Sequence, residues 1–412
     1  MSLHRCLPVA LLAATLCGQT PAPPSRLSAA QWREDVAYFG RELAARHKNL
    51  FFHLSRAEFE WQVRELSGEA ESASDIEMRA GLARIMAAVG DAHSWVDAFT
   101  ASRQLELRFR QFPGGWYCIE ARSDLGDAVG ARLITVAGVP TEETAQRLLP
   151  FVAQENATQT QEALADLFTW PGALRAAGLS VPGDTVEFEF ERSGRRFILR
   201  ATSPMRPAPG EWPQRRDIQR TPAGAPFSTP LYRSDPAAFY WFRMLASGTL
   251  YIQYNHCVDD PEQPMKRFAA VVARTIAQKR PARIVVDLRN NGGGNSLVFH
   301  PLLEVLRGQK GRVFVAIGRG TFGSGAFNMV DLKEHARAKT VGEPTAEKPN
   351  IFGQQRSFLL PNSRVRVVYA TRYYRFLKDS DPPSWEPDQR VILTAEDFLA
   401  GRDPVLDWIE RQ

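Results

Sequence analysis

A serine held between two glycines, Ser324 in Gly320-Thr-Phe-Gly-Ser-Gly-Ala326, follows at short range a run of three glycines in Arg283-Ile-Val-Val-Asp-Leu-Arg-Asn-Asn-Gly-Gly-Gly-Asn295. Both segments read as buried strands ending in a glycine-rich turn that opens a helix. Acyl chemistry uses such a pair: a hydroxyl that attacks a carbonyl, and preorganised donors for the oxyanion that forms. Unhindered backbone at Gly292–Gly294 lets N–H groups point into a cleft, and a serine at a helix mouth gains from the helix dipole. Each half also has a plainer reading, a tight turn that needs positive φ and a serine N-cap. The dinucleotide fingerprint G-x-G-x-x-G fails because Leu297 stands in the place of its third glycine. Nor do the flanks of Ser324 form the G-x-S-x-G elbow.

Two residues offer themselves as the base. His93, in Gly90-Asp-Ala-His-Ser94, has a side chain whose ordinary pKa of about 6.5 suits general-base work. Lys348, in Gly342-Glu-Pro-Thr-Ala-Glu-Lys348, follows the next strand, where a parallel sheet brings its loop beside the serine. A lysine desolvated in a cleft loses its proton near neutral pH and can activate a hydroxyl. Set against these are a structural histidine and a solvated loop lysine.

The elements that must position these groups fall into three regions. Residues 26–98 read as a small helical bundle. Ser28-Ala-Ala-Gln31 and Ser55-Arg-Ala-Glu58 have capping-box form, Trp32, Val36, Phe39 and Leu43 are spaced for one apolar face, and a helix over 76–89 stops at Gly90. Residues 105–203 alternate short strand-like runs with Gly, Asp and Pro, in the strand–turn form of a small β-sandwich or PDZ-like module, with helices expected over 142–149 and 161–177. Residues 204–236 hold eight prolines and read as a linker or surface excursion. Over 237–412 the order strand, helix, strand, helix, strand, helix (249–254, 264–278, 283–288, 296–306, 312–317, 324–335) argues for an α/β domain with a largely parallel sheet. No internal repeat is visible.

At 412 residues, 44% apolar and 24% charged, the chain is ordinary globular material for two or three domains. Its net charge of +5 is spread among nearly as many acids, so nucleic-acid binding has no support. The apolar stretch from Cys6 to Cys17, followed by Gly18-Gln-Thr-Pro-Ala-Pro-Pro24, is too short to span a bilayer and predicts a signal peptide over 1–20, hence export to the periplasm or outside the cell. A lipid anchor at Cys17 is disfavoured by Leu16 before it. Cys118 and Cys257 would remain, with no zinc-type spacing. They can form one long-range disulfide or stay as buried thiols. No metal, cofactor or membrane span is expected.

Val286-Asp-Leu-Arg-Asn-Asn-Gly-Gly-Gly294, Thr321-Phe-Gly-Ser-Gly325 and Val341-Gly-Glu-Pro-Thr-Ala-Glu-Lys348, in that order, resemble the C-terminal-processing and tricorn-core serine peptidase family. So do Asp91-Ala-His-Ser94, Trp385-Glu-Pro-Asp388 and Asp403-Pro-Val-Leu406. The resemblance runs from Ser28 onward and implies a helical N-terminal region, a PDZ-like middle module and a crotonase/ClpP-like catalytic domain. It implies an endopeptidase or carboxyl-end processing enzyme acting on protein or peptide. Carried over by position, Ser324 is the nucleophile, and the N–H groups of Gly325 and of Gly293 or Gly294 form the oxyanion hole. Lys348 matches the base of the processing branch. His93 matches the base of the tricorn branch, in which a further serine or acid orients the imidazole, so Ser94, Glu386 and Asp388 become candidates. Three departures stand out: Gly323 is extra in the nucleophile motif, the Ser324–Lys348 interval is one residue shorter than in the processing branch, and Glu347 replaces the glycine before Lys348. A carboxylate there would hold the amine charged, which favours His93, with Lys348 the alternative. The competing readings are an inactive relative that binds peptides or hydrophobic ligands in the same cleft, and acyl-CoA chemistry on the crotonase-like domain.

Overall fold

The structure is a computed structural model that describes residues 26–100, 103–203, 218–220, 229–309 and 312–412. The expected signal peptide, Cys17 and most of the proline-rich stretch lie outside the described residues.

Three helices, Ala29–Arg46, Arg56–Glu69 and Asp75–Ala88, open the described chain. Ser28 and Gln31 make a reciprocal capping box, whereas Ser55 only accepts from the Glu58 N–H. Ser74 and Glu77 form a second full box that the sequence reading did not single out. Trp32, Val36, Phe39 and Leu43 are buried as their spacing requires. Their core also takes Phe358, Leu360, Val365, Val367 and Tyr369 from the long hairpin of Asn350–Leu359 and Arg366–Arg375. The Asp35 carboxylate accepts from the N–H groups of Asn362 (2.8 Å) and Ser363 (2.7 Å), fixing the hairpin turn on the first helix. The helical region therefore shares its core with chain from the C-terminal third.

The middle region is an antiparallel sheet in the order Leu107–Phe112, Gly115–Arg122, Arg132–Val136, Thr185–Arg192, Arg195–Thr202, packed on helices Thr141–Leu148, Ala157–Leu167 and Pro171–Ala176. The single helix expected over 161–177 is two. Pro171 disfavours helical backbone at Trp170, which is extended, and then serves as the first residue of the second helix.

The third region is built on a six-stranded sheet in the order Gln389–Arg390, Lys339–Gly342, Val313–Ile317, Arg283–Asp287, Thr249–Tyr254, Tyr240–Met244. Every pairing is parallel except the last. Helices Met265–Lys279, His300–Leu306 and Ser324–Ala336 cover it. Parallel register aligns Asp287 with Ala316 and Ile317 with Gly342. The glycine run, the Ser324 turn and the loop carrying Lys348 thus leave adjacent strands at the same carboxyl edge, the usual ligand face of an open parallel sheet. Among the described residues no helix is long and apolar enough to cross a membrane.

Candidate active site

The Asp287-Leu-Arg289 corner anchors the edge. Arg289 is paired with Asp287 (2.5 Å) and reaches Asp403 with two further bonds of 2.8 Å, while its guanidinium lies 4.0 Å from the Tyr232 ring centroid. Tyr251 Oη donates to Asp287 Oδ2 at 2.7 Å. The charged residues of this motif are thus a buried clamp between the central strand and the last helix, Pro404–Glu410.

Beyond the clamp, Asn291 sets the glycine run. Its Nδ2 donates to Tyr254 O (2.9 Å), its Oδ1 accepts from the Gly293 N–H (3.0 Å), and its carbonyl accepts from the Phe322 N–H (2.9 Å). Cys257 lies beneath: its N–H donates to Gly293 O (3.1 Å), its carbonyl accepts from Asn295 N–H (2.8 Å), and its thiol points at Asn291 Oδ1 (3.3 Å). Gly294 has φ of 132°, and a Cβ there would stand 2.5 Å from Cys257 O, so only glycine fits. Cys118 and Cys257 are both buried free thiols.

Ser324 begins its helix, with Gly323 before it at φ 56°. The serine is half-buried, and its Oγ donates to Gly294 O at 2.7 Å. The two glycine turns are therefore in direct contact. Of the expected oxyanion donors, Gly293 N–H is committed to Asn291 Oδ1, and Gly325 N–H donates to Phe322 O at 3.1 Å. Among the described residues no acceptor meets the Gly294 N–H, which leaves it as the donor open to a ligand in this conformation.

His93 reaches this loop from the end of the helical region. Its ring stacks on Phe322, two residues before Ser324, with 4.5 Å between centroids and 18° between planes. The backbone around it is held by Asp91, whose Oδ1 accepts from the His93 N–H (2.9 Å) and whose Oδ2 accepts from Ser94 Oγ (2.5 Å) and His47 Nε2 (3.0 Å). Asn49 N–H donates to His47 Nδ1 (3.1 Å), which puts the His47 proton on Nε2. Strand Trp95–Val96 then pairs with Arg366–Arg375, and Gln355 Nε2 donates to His93 O at 2.7 Å. Burial pushes the His93 pKa below its ordinary value, against an opposing pull from Asp91. The imidazole is thus neutral, as a base must be, at neutral pH. Its Nδ1 is buried without a hydrogen-bond partner.

The other expected residues go elsewhere. Lys348 Nζ is bound to Asp381 Oδ2 at 2.6 Å, and Glu347, expected to hold that amine, instead turns inward and accepts from the Gly323 N–H. Glu386 is 57% exposed and pairs loosely with Arg390 at 3.9 Å. Asp388 is engaged by Lys333 Nζ (2.7 Å) and by Thr340 N–H (2.9 Å) and Oγ1 (3.0 Å). Ser94 Oγ serves Asp91 and the Ala370 N–H (3.0 Å), not the His93 ring. Among the described residues, none of Lys348, Glu386, Asp388 and Ser94 makes a hydrogen bond to the His93 imidazole. Phe322, Asn291 and Asp91, by contrast, hold the site together from inside motifs whose serine, glycines and histidine drew the attention. Glu155, which approaches Ala92 from the middle region, carries no local signal at all.

No family model matches the sequence, and no curated protein matches it. Solved structures match its fold. Mature CPAF complexed with lactacystin superposes with a TM-score of 0.65 at 13% identity, over 93% of this chain and 97% of that one. Mature CPAF gives 0.64 at the same identity and coverage. The photosystem II D1 C-terminal processing protease spans 91% of this chain and 98% of that one at 13% identity, but at a TM-score of 0.43 the likeness carries no weight. The chain has the fold of CPAF along nearly its whole described length.

Proposed function

We propose that this protein is an exported serine peptidase of the C-terminal-processing and tricorn-core type, with Ser324 as nucleophile and His93 as general base. The observation that carries the reading is the stacking of His93 on Phe322, which delivers a neutral, buried imidazole from residue 93 to the turn that presents Ser324. The CPAF fold supports it, as does the contact of both glycine turns at one sheet edge. The helical region, a PDZ-like middle module and a crotonase/ClpP-like domain are the roles this reading gives to the three regions.

The Ser324 hydroxyl rotates away from Gly294 O, hands its proton to His93 and attacks a peptide carbonyl, and the alkoxide becomes the acyl-enzyme ester as the protonated imidazole returns its proton to the leaving amine. Gly294 N–H and the positive end of helix Ser324–Ala336 face the oxyanion. Water then repeats the sequence on the ester and releases the acid. Lys348, whose amine is paired with Asp381, takes no part in proton transfer.

A fluorophosphonate probe is expected to label the mature protein at Ser324 and to leave Ser324→Ala unlabelled. A folded wild type that resists the probe would sink the reading.

A further inference from the structure

The segment Gly294–Leu297 is pinned from two sides. On one side Cys257 forms a parallel bridge with Gly294: its N–H donates to Gly293 O (3.1 Å) and its carbonyl accepts from the Asn295 N–H (2.8 Å). On the other side runs the first turn of the helix Ser324–Ala336. Ser324 Oγ donates to Gly294 O at 2.7 Å, and Asn328, one turn later on the same helix face, donates from Nδ2 to Ser296 O at 3.0 Å. Residues 293 and 295 serve Cys257, so Gly294 turns its own N–H away from that bridge, to the side from which Ser324 approaches.

Two large apolar side chains stand in water at this place. Leu297, the residue that breaks the dinucleotide pattern, is 63% exposed, more than any other large apolar side chain among the described residues. Its backbone is fixed, since the Asn295 side chain accepts from the Leu297 N–H at 3.1 Å and Asn328 holds Ser296. Val258 is 45% exposed. Side chains alternate along extended chain, so the fully buried Cys257 sends Val258 to the outer face, where the parallel register sets it beside Asn295 at a strand spacing of about 4.8 Å. The next residue, Asp259, has its Oδ1 drawn to the Met265 N–H (2.7 Å) and the Tyr240 hydroxyl (3.2 Å). Apolar residues exposed singly need no explanation, but two that flank the open oxyanion donor make an apolar surface at the reacting centre.

We propose that Leu297, backed by Val258, determines specificity for the residue that supplies the attacked carbonyl, and that this residue is bulky and apolar, such as leucine, methionine or phenylalanine. With the carbonyl oxygen at the Gly294 N–H, the side chain of that residue branches from the carbon next to the carbonyl carbon and lies against whatever surrounds the donor. The glycine run offers no side chain, which leaves Leu297 as the projecting group. An apolar substrate side chain and Leu297 remove each other's surface from water. A charged one gives up hydration there without gaining a partner.

This inference rests on the peptidase reading and names its substrate class. Peptidyl phosphonate esters that differ only in the side chain next to the reactive phosphorus test it. Wild type is expected to react at least about 10-fold faster with leucine and phenylalanine probes than with aspartate and lysine probes, the discrimination an apolar contact supplies. Leu297→Ser should cut the ratio of leucine-probe to alanine-probe rates by about 10-fold, and Val258→Thr by less. Leu297→Asp should turn the order of the charged probes toward lysine. Both positions are exposed, so urea midpoints like that of wild type are expected and separate a lost contact from a lost fold. A leucine-to-alanine ratio that is the same in wild type and Leu297→Ser would overturn the inference, while fluorophosphonate labelling of Ser324 would leave the peptidase reading standing. Wild type that resists every probe would overturn the peptidase reading. Binding then tests the surface without chemistry: Ser324→Ala should bind a dye-labelled pentapeptide with a central leucine more tightly than its counterpart with a central aspartate, and should lose that difference on adding Leu297→Ser. Equal binding of the two peptides would overturn the inference as well.

Discussion

His93 lies flat on Phe322, 4.5 Å between centroids and 18° from parallel, although the two rings come from opposite ends of the chain. The histidine belongs to a turn closing the helical region, and the phenylalanine to the turn that presents Ser324. Under the proposed mechanism, the stack sets where the base lies relative to the turn that presents Ser324. An aromatic pair of this kind contributes about 0.5–1.5 kcal/mol beyond simple burial. Phe322→Leu keeps apolar volume and removes the aromatic face. It is expected to slow fluorophosphonate labelling by about 3–10-fold, the rate equivalent of that energy, with little change in melting temperature. A labelling rate equal to wild type would show that the ring does not align the base.

The two candidate bases separate cleanly. His93→Ala removes the neutral imidazole and should lower the labelling rate by about 10²–10⁴-fold, the usual worth of a positioned base. Lys348→Ala removes an ammonium paired with Asp381 and should change the rate by no more than about threefold, as befits an ion pair near the surface worth under about 1 kcal/mol. The opposite ranking in parallel assays would transfer the role to the lysine.

Neighbouring glycines should respond very differently to the same methyl group. At Gly294 a Cβ meets Cys257 O at 2.5 Å and φ is 132°, whereas at Gly292 nothing lies within 4 Å. Forcing a side chain into a glycine-only conformation costs about 1–3 kcal/mol before any clash is counted. Gly294→Ala should therefore lose at least about 2 kcal/mol in urea unfolding together with its labelling. Gly292→Ala should stay within about 0.5 kcal/mol of wild type, like most changes at open positions. Equal effects at the two positions would mean that the run is general turn material and not a shaped platform.

Much of the site was legible because its parts are local. Strand, glycine turn and helix recur with short spacing, and the parallel sheet of 283–317 follows from their alternation, so Ser324 and the glycine run could be placed together. His93 was legible as a candidate base by type and not by position, since its place beside the Ser324 turn depends on long-range contacts such as the pairing of Trp95–Val96 with Arg366–Arg375 and the Gln355 bond to its carbonyl. Glu386 and Asp388 looked equal to any acid in the sequence; solvent exposure and bonds to Thr340 and Lys333 set them aside. Glu347 was read against its chain neighbour Lys348, yet its carboxylate accepts from the Gly323 N–H while the lysine reaches Asp381. Nothing local marks Glu155. Likewise, the core shared between the first three helices and the hairpin of 350–375 depends on contacts that no periodicity announces.

Asp91 supplies the acid side of the pH response. Burial would raise its pKa, but the hydrogen bonds from His47 and Ser94, with help from His93, outweigh burial and hold it below the ordinary aspartate value. A depressed folded pKa means stability that is fully present above the unfolded value, about 3.9, and lost as pH falls through the folded one. Asp91→Asn removes the charge that three partners share, and hydrogen bonds to a buried charge contribute about 1.5–3 kcal/mol. The variant should therefore be less stable than wild type at pH 7 by about that amount. The difference between the two should shrink as the pH falls below about 4, the ordinary aspartate value, toward the lower pKa that Asp91 has in the folded protein. Since the same carboxylate holds the His93 backbone, labelling of the variant at pH 7 should fall as well, by more than the loss of folded protein accounts for. Urea titrations of both proteins between pH 3 and 7 measure the difference directly. A gap that stays constant across that range would show that Asp91 acts by shape alone and not by its charge.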